Sequence, residues 1–345
     1  MMKKTFISLM IALSSGFFCN AQFSSINWTD FESQKTLTGV FWKSTPNLAD
    51  PTDIYLKDNS LIVLDESNRG KFIKIINLET HKGFWIGDEG FGPGEIMSTQ
   101  LVDKGFKNGQ FWLYDLETSK YHQFSTSGKP STATNTIDLK ENIPLNALWM
   151  DNSNILMMDW SLGKHVFRVM DYSSKNSYDI GEWKSLIDLD ERIPVTNQVQ
   201  SHHGVLYTNN DRDLFALGAL IVDYLLIYDD QSKSFKALYG PQGHKLRYYK
   251  ARPVAQRGFT GYMNVKVVKD EIYALYSGKY DSDLDDPSDA YNCNLILVYD
   301  RNGKPLKRLE LDKSIQSFDI DEETNTIYGL NFSRENPRII EFKYD

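Results

Sequence analysis

Only two cysteines occur in the 345 residues, Cys19 and Cys293. A disulfide-stapled scaffold and a cysteine-built zinc site are therefore excluded. Basic excess is also lacking. Asp and Glu number 46 against 38 Lys and Arg, for a formal net charge of −8. Nucleic-acid binders carry a basic face, so no nucleic-acid partner is expected. Past residue 21 no apolar run is long enough to span a membrane. No Gly-x-Ser-x-Gly elbow occurs, and the six histidines show no metal-ligand spacing. No catalytic motif, cofactor or metal is expected on these grounds.

What the chain does have is aromatic: 19 Phe, 19 Tyr and 7 Trp, a bias toward β structure. Residues 1–21 have the form of a secretory signal. Lys3 and Lys4 precede an apolar stretch over 5–18, and Ala21 offers a small residue for cleavage before Gln22. Lipidation at Cys19 is the alternative, but the bulky Phe18 stands where a small residue is required. Cleavage after Ala21 leaves residues 22–345, expected to form one domain, with Cys293 as the sole cysteine.

After a polar stretch over 23–33, residues 35–43 read as a strand. A unit of up to four short strands then recurs. Its second strands begin near Leu61, Phe111, Ile155, Leu214, Ile272 and Ile327, spaced 44 to 59 residues apart. Repetition on that scale, with four strands per repeat, predicts an all-β six-bladed propeller with four-stranded blades. The sixth unit is one strand short, and residues 35–43 are one strand extra. They are expected to pair with residues 338–344 and close the ring, which removes an exposed edge. The surplus length lies in connections such as 184–201 and 240–261. The turn at 116–120 (Leu-Glu-Thr-Ser-Lys) echoes 78–82 (Leu-Glu-Thr-His-Lys).

Between the first two units runs Gly87-Asp-Glu-Gly-Phe-Gly-Pro-Gly-Glu95. With this loop, the preceding Leu61-Ile-Val-Leu-Asp65 and residues 73–78, the chain resembles the TolB-like six-bladed β-propellers exported by Gram-negative bacteria. The resemblance implies a fold and an export route and carries over no catalytic residue. TolB itself is a protein-binding propeller.

Four features are candidates for function. Gly90, Gly92, Pro93 and Gly94 shape a loop expected on the channel face, either as a structural crossover or with Glu95 as a polar contact at the channel mouth. An echo, Tyr239-Gly-Pro-Gln-Gly-His244, follows the fourth unit. From His244 onward, Arg247, Tyr248 and Arg252 form a basic, aromatic segment that either grips an anionic polymer or is a solvated loop. Asp281, Asp283 and Asp285 open like a calcium loop, but Asp286 and Asn292 stand where Gly and Glu belong. His202 and His203, on a strand, would face opposite ways. Cys293 reads as packing, and Tyr114-Asp115 and Tyr299-Asp300 as strand ends in equivalent units, their acids forming turns. The expected function is an exported, non-enzymatic binding propeller presenting channel-face loops to a protein or glycan partner. The alternative is a propeller hydrolase or lyase acting on a carbohydrate or lactone, with its residues scattered over several blades.

Overall fold

In the computed structural model, residues 21–43, 47–68, 70–141, 144–159, 163–249, 255–256, 258–331 and 338–344 are described. The segment read as a signal lies outside them except for Ala21. Strands dominate, with one α-helix among these residues.

Three strands come first: β1 (Ala21–Ser25), β2 (Ser33–Leu37) and β3 (Gly39–Phe41). Blade 1 is β4 (Asp53–Lys57), β5 (Ser60–Leu64), β6 (Lys71–Asn77) and β7 (Gly83–Asp88). Blade 2 is β8 (Leu101–Asp103), β9 (Gln110–Asp115), β10 (Lys120–Ser125) and β11 (Asn135–Asp138). Blade 3 is β12 (Pro144–Trp149), β13 (Asn154–Asp159), β14 (His165–Asp171) and β15 (Ser177–Glu182). The α-helix, α1 (Val195–Gln200), lies in the next connection. Blade 4 is β16 (Gly204–Thr208), β17 (Leu214–Ala219), β18 (Tyr224–Asp229) and β19 (Ser234–Tyr239). Blade 5 is β20 (Phe259–Val268), β21 (Glu271–Tyr280), β22 (Cys293–Asp300) and β23 (Pro305–Ile315). Blade 6 is β24 (Ser317–Asp321), β25 (Thr326–Leu330), β26 (Ile339–Lys343) and, from the N-terminal end, β3.

Ring closure follows the missing-strand argument. Phe41, Val40 and Gly39 pair antiparallel with Ile340, Glu341 and Phe342. Residues 35–43 are nevertheless not one strand. Residues 33–37 pair parallel with the outer strand of blade 5, Ser33 opposite Lys307 and Leu37 opposite Leu311. The stretch expected to be irregular also contains a strand, with Ala21–Ser25 running parallel to the outer strand of blade 4. The N-terminal segment thus covers the outer edges of blades 4, 5 and 6 in turn. Ile26, buried beside β19, donates its N–H to the Tyr239 carbonyl at 2.7 Å. Trp28 and Phe31 pack edge-on or tilted against Tyr276 and Tyr299. Polar side chains in β2 mislead a sequence reading because only Leu37 of that strand is buried; an edge strand holds by backbone bonds.

Second and third strands lie between neighbouring blades, so both their faces are covered. They read as unbroken apolar runs, such as Leu61-Ile-Val-Leu64 and Leu225-Leu-Ile-Tyr228. Five hairpin turns share one device. Asn77, Asp115, Asp171, Asp229 and Asp321 each accept a backbone N–H two or three residues on. The fourth residue after each (His81, Ser119, Lys175, Lys233 and Asn325) takes a positive φ of 51–61°. The echo between 78–82 and 116–120 therefore belongs to the turn type. The first joins the third and fourth strands of blade 1, and the second joins the second and third strands of blade 2. Tyr114-Asp115 and Tyr299-Asp300 likewise end a second and a third strand, so they are not equivalent.

Candidate functional site

Antiparallel strands alternate in direction. The outer-to-inner crossovers therefore share one face with the turns between second and third strands. Turns between first and second, and third and fourth, strands share the opposite face. First strands encircle the axis, with β24 against β4, β8 against β12, and β20 against both β16 and β24.

Around that axis, three carboxylates converge with cations, and every carboxylate oxygen is already engaged. Asp53 accepts from Tyr55 Oη at 2.6 Å, Asn264 Nδ2 at 3.1 Å, Ile54 N and Ser317 Oγ. Asp319 accepts from Leu56 N at 2.7 Å and Ile320 N at 2.8 Å, with Lys104 Nζ at 2.9 Å. Asp103 accepts from Gly105 N and Trp149 N, both at 2.7 Å, and takes both terminal nitrogens of Arg212 at 2.5 and 2.8 Å. Burial pushes the Asp103 carboxyl up, but Arg212 and the two backbone N–H groups prevail and hold it below its ordinary range. Lys266 is fully buried between the rings of Tyr55 and Tyr207, its Nζ 3.9 and 4.4 Å from their centroids. Burial lowers its pKa. These groups line the axis and bond neighbouring blades to one another.

A cavity of about 230 Å³ opens between blades 2 and 3 on the face opposite the crossovers. Blade 2 contributes through its cross-strand register. Trp112 stands opposite Gln123 and Gln123 opposite Asn135, with Gln110 and Ile137 two residues along the same strands. The period of two puts these side chains on one side of the sheet. The turn after β8 adds Phe106 and Lys107, and blade 3 adds Trp149, Asn152 and Tyr172. Trp149 is the hub, with Phe106, Trp112 and Tyr172 standing at 63°, 68° and 83° to it. Phe106 and Tyr172 are 42% and 39% exposed, whereas Trp112 and Trp149 are buried. The Asp103–Arg212 pair sits directly behind. It anchors Gly105 and Trp149 by their N–H groups, and the guanidinium lies 5.0 Å from the Phe106 ring. No carboxylate lines the cavity.

None of the residues singled out from the sequence lines this cleft. Glu95 turns into its own loop and accepts from Gly92 N at 2.7 Å. That loop packs outward on the connection between β10 and β11. Gly87 N donates to the Ser131 carbonyl, and Ala133 N donates to the Gly94 carbonyl. Gly94 has φ +76°, and a Cβ there would lie 2.7 Å from the Ala133 carbonyl oxygen. Gly90 has φ +154°, Gly92 keeps an ordinary φ, and Pro93 is exposed.

His244 stacks on Phe259 at 4.3 Å, and burial followed by the Arg247 charge lowers its pKa. Arg247 is exposed, Tyr248 is half-buried, and Arg252 lies outside the described residues. The echo loop wraps Asp223, which accepts from Gly243 N at 2.7 Å and Tyr276 Oη at 3.0 Å. Burial pushes that carboxyl up to about 6.

His202 and His203 are not on a strand. They follow α1, where His202 Nδ1 donates to the Gln198 carbonyl at 2.8 Å. Burial lowers both to about 4. The acidic insertion does fall between β21 and β22, but it folds as two short 3₁₀ turns, with Asp286 accepting from Ser288 N. No group of three His, Cys, Asp or Glu among the described residues is placed to hold a metal ion. Cys293 is buried, and burial pushes its thiol up to about 12.

A family model described as TolB-like 6-blade propeller-like matches residues 30–323. A solved structure of a member of the DUF4221 family from Bacteroides vulgatus superposes with a TM-score of 0.55 at 11% identity, covering 89% of this chain and 95% of that one. A Bacteroides fragilis protein named "Putative exported protein" gives 0.52 at 13% identity, covering 90% and 87%. At such identities the likeness is one of fold. No curated protein sequence matches the chain. No helix among the described residues is long and apolar enough to cross a membrane.

Proposed function

The chain belongs to the TolB-like 6-blade propeller-like family, and from that premise we propose that it is an exported, non-enzymatic recognition propeller that seats a projecting group of its partner in the cleft between blades 2 and 3. The observation that carries this reading is the cleft's make-up. It is lined by aromatic rings and amide side chains, with no carboxylate or imidazole and with Lys107 as its one charged group. The name of the Bacteroides fragilis neighbour and the family itself support export.

Catalysis by scattered carboxylates finds no support, because all six oxygens of Asp53, Asp103 and Asp319 are taken by donors. A general acid or base needs an oxygen within reach of substrate. One group favours the hydrolase or lyase alternative. Lys266 is a buried amine of lowered pKa, the kind of residue that serves as base or nucleophile. Yet it is enclosed by Tyr55, Tyr207 and the Ile54 carbonyl, 3.4 Å away.

The test is capture from the native envelope with the wild-type protein and with a Phe106→Ala/Tyr172→Ala double variant. The rings are 42% and 39% exposed and pack on Trp149, so a modest drop in melting temperature is expected and is measured alongside capture. The reading expects that the species captured by the wild type is lost by the variant. Equal capture by both would place recognition elsewhere.

A further inference from the structure

The cavity volume bounds its occupant. At about 230 Å³ it falls below the roughly 300–1,000 Å³ of sites that enclose a whole drug-sized ligand. It admits one ring or one side chain. Four primary amides line it, Gln110, Gln123, Asn135 and Asn152. Gln123 Nε2 donates to Gln110 Oε1 at 2.7 Å. That bond leaves the NH₂ group of Gln110 and the carbonyl oxygen of Gln123 to serve a ligand. Trp112 and Trp149, both buried, add indole surface to the same cleft.

Neutral donors and acceptors interleaved with ring faces suit one chemistry. A pyranose has a C–H face, weakly positive at its hydrogens, that lies against the negative face of an aromatic ring. Its edge carries hydroxyls that both donate and accept, as amides do. Resting on the recognition reading above, we propose that this cleft is a subsite for one uncharged pyranose unit of a glycan.

Competing occupants fit less well. An aromatic cage for a quaternary ammonium draws on several ring faces, but here Lys107 lines the cleft and the Arg212 guanidinium stands behind Phe106. Lys107 repels a cation and no carboxylate lines the cleft to offset it, while the Arg212 charge is balanced by Asp103. An anionic sugar would meet only the exposed Lys107, on a chain of net charge −8. An extended peptide adds to a strand edge through backbone bonds, whereas this cleft offers side-chain amides and rings.

The experiment titrates the purified protein with maltohexaose, xylohexaose and chitotetraose, and separately with choline and digalacturonate. Tryptophan fluorescence reports on Trp112 and Trp149, and calorimetry gives the affinity. At least one neutral oligosaccharide should bind. Phe106→Ala, Tyr172→Ala and Asn152→Ala should each weaken it by about tenfold or more, equivalent to about 1.4 kcal/mol. Phe23→Ala, an exposed ring on β1, should leave it unchanged. Failure of all three neutral sugars, tighter binding of choline or digalacturonate, or binding indifferent to the cleft variants would overturn the proposal. If the sugars fail while Phe106→Ala/Tyr172→Ala still abolishes capture from the envelope, the pyranose assignment falls and the recognition reading stands. If capture is also unaffected, both fall.

Discussion

Replacing Asp103 by alanine should be among the most damaging single changes in this ring. The carboxylate is 1% exposed and its partner Arg212 is 5% exposed. It bonds three blades at once: its own β8, Trp149 at the end of β12, and Arg212 on the turn after β16. Asp103→Ala strands a buried guanidinium, worth about 3–5 kcal/mol when one member of a buried pair is lost. It also leaves the Gly105 and Trp149 N–H groups without acceptors, each adding about 1 kcal/mol or more. The expected loss is therefore at least about 5 kcal/mol, a large part of the roughly 5–15 kcal/mol by which a protein is stable. Asp103→Ala combined with Arg212→Met removes the orphaned charge and should recover about 2 kcal/mol or more, a coupling typical of contacting residues. Urea unfolding measures both, with the denaturant slope required to stay constant. A single-variant loss under about 1 kcal/mol, or a double variant no more stable than the single one, would refute the claim that this pair is an uncompensated charge when halved. The pH dependence has a fixed sign. The folded-state pKa of Asp103 is depressed, so its contribution is full above the unfolded value near 3.9 and is lost as pH falls.

Three further outcomes are expected. Gly94→Val should destabilise by about 2–4 kcal/mol, from positive φ plus the collision with the Ala133 carbonyl. Gly92→Val should cost less, since the obstacle is the flexible Glu95 carboxylate, and Glu95→Ala should cost about 1 kcal/mol for its bond to Gly92 N; equal melting of wild type and Gly94→Val would remove the structural role of the loop. His202, lowered to about 4 by burial, stays neutral in the fold while the unfolded chain takes up a proton below about 6.5, so stability should fall by up to about 3 kcal/mol between pH 6.5 and 4. His202→Phe should remove its share of that slope while His203 and His122, also lowered to about 4, keep theirs, and an unchanged slope would show that His202 does not contribute. Lys266→Met should be neutral or stabilising at pH 7, because a buried amine of lowered pKa opposes folding while protonated. Its advantage should shrink as pH rises toward 10.4, where the unfolded lysine also loses its proton; a loss of more than about 2 kcal/mol at pH 7 would mean that the ammonium between Tyr55 and Tyr207 is required.

The blades were readable because their second and third strands are covered on both faces and so appear as apolar runs of fixed spacing. Closure was readable from a count: one strand missing at the end, one extra at the start. The parallel strands β1 and β2 were not. An added edge strand buries little, four of the five residues in β2 being exposed, so it leaves no apolar pattern to find. Blade 2 shows the same limit inside a unit. Its first strand is three residues long and its fourth alternates weakly.

The cleft was hidden for a different reason. Its residues come from a turn and three strands of blade 2 and from the end of β12 and two turns of blade 3, and only the fold unites them. Gln110 and Trp112 stand two apart on one strand and Asn135 and Ile137 on another, which are short local traces of the site. Gln123 and Asn135 join them through cross-strand pairing. In a linear reading, amides on a half-exposed strand are ordinary surface. Loops rich in glycine or charge attract notice instead, yet here Glu95 spends its carboxylate on its own loop, and the glycine-bearing 239–244 loop is tied down by Asp223. The same register logic sets the ion pair behind the cleft, since Asp103 and Arg212 are 109 positions apart in the chain. A cleft backed by a pair that spans three blades is held by the whole ring. Its shape should therefore survive exchange of the exposed Phe106 and Tyr172 but not of buried Asp103. That difference is what allows ligand affinity and fold stability to be varied independently.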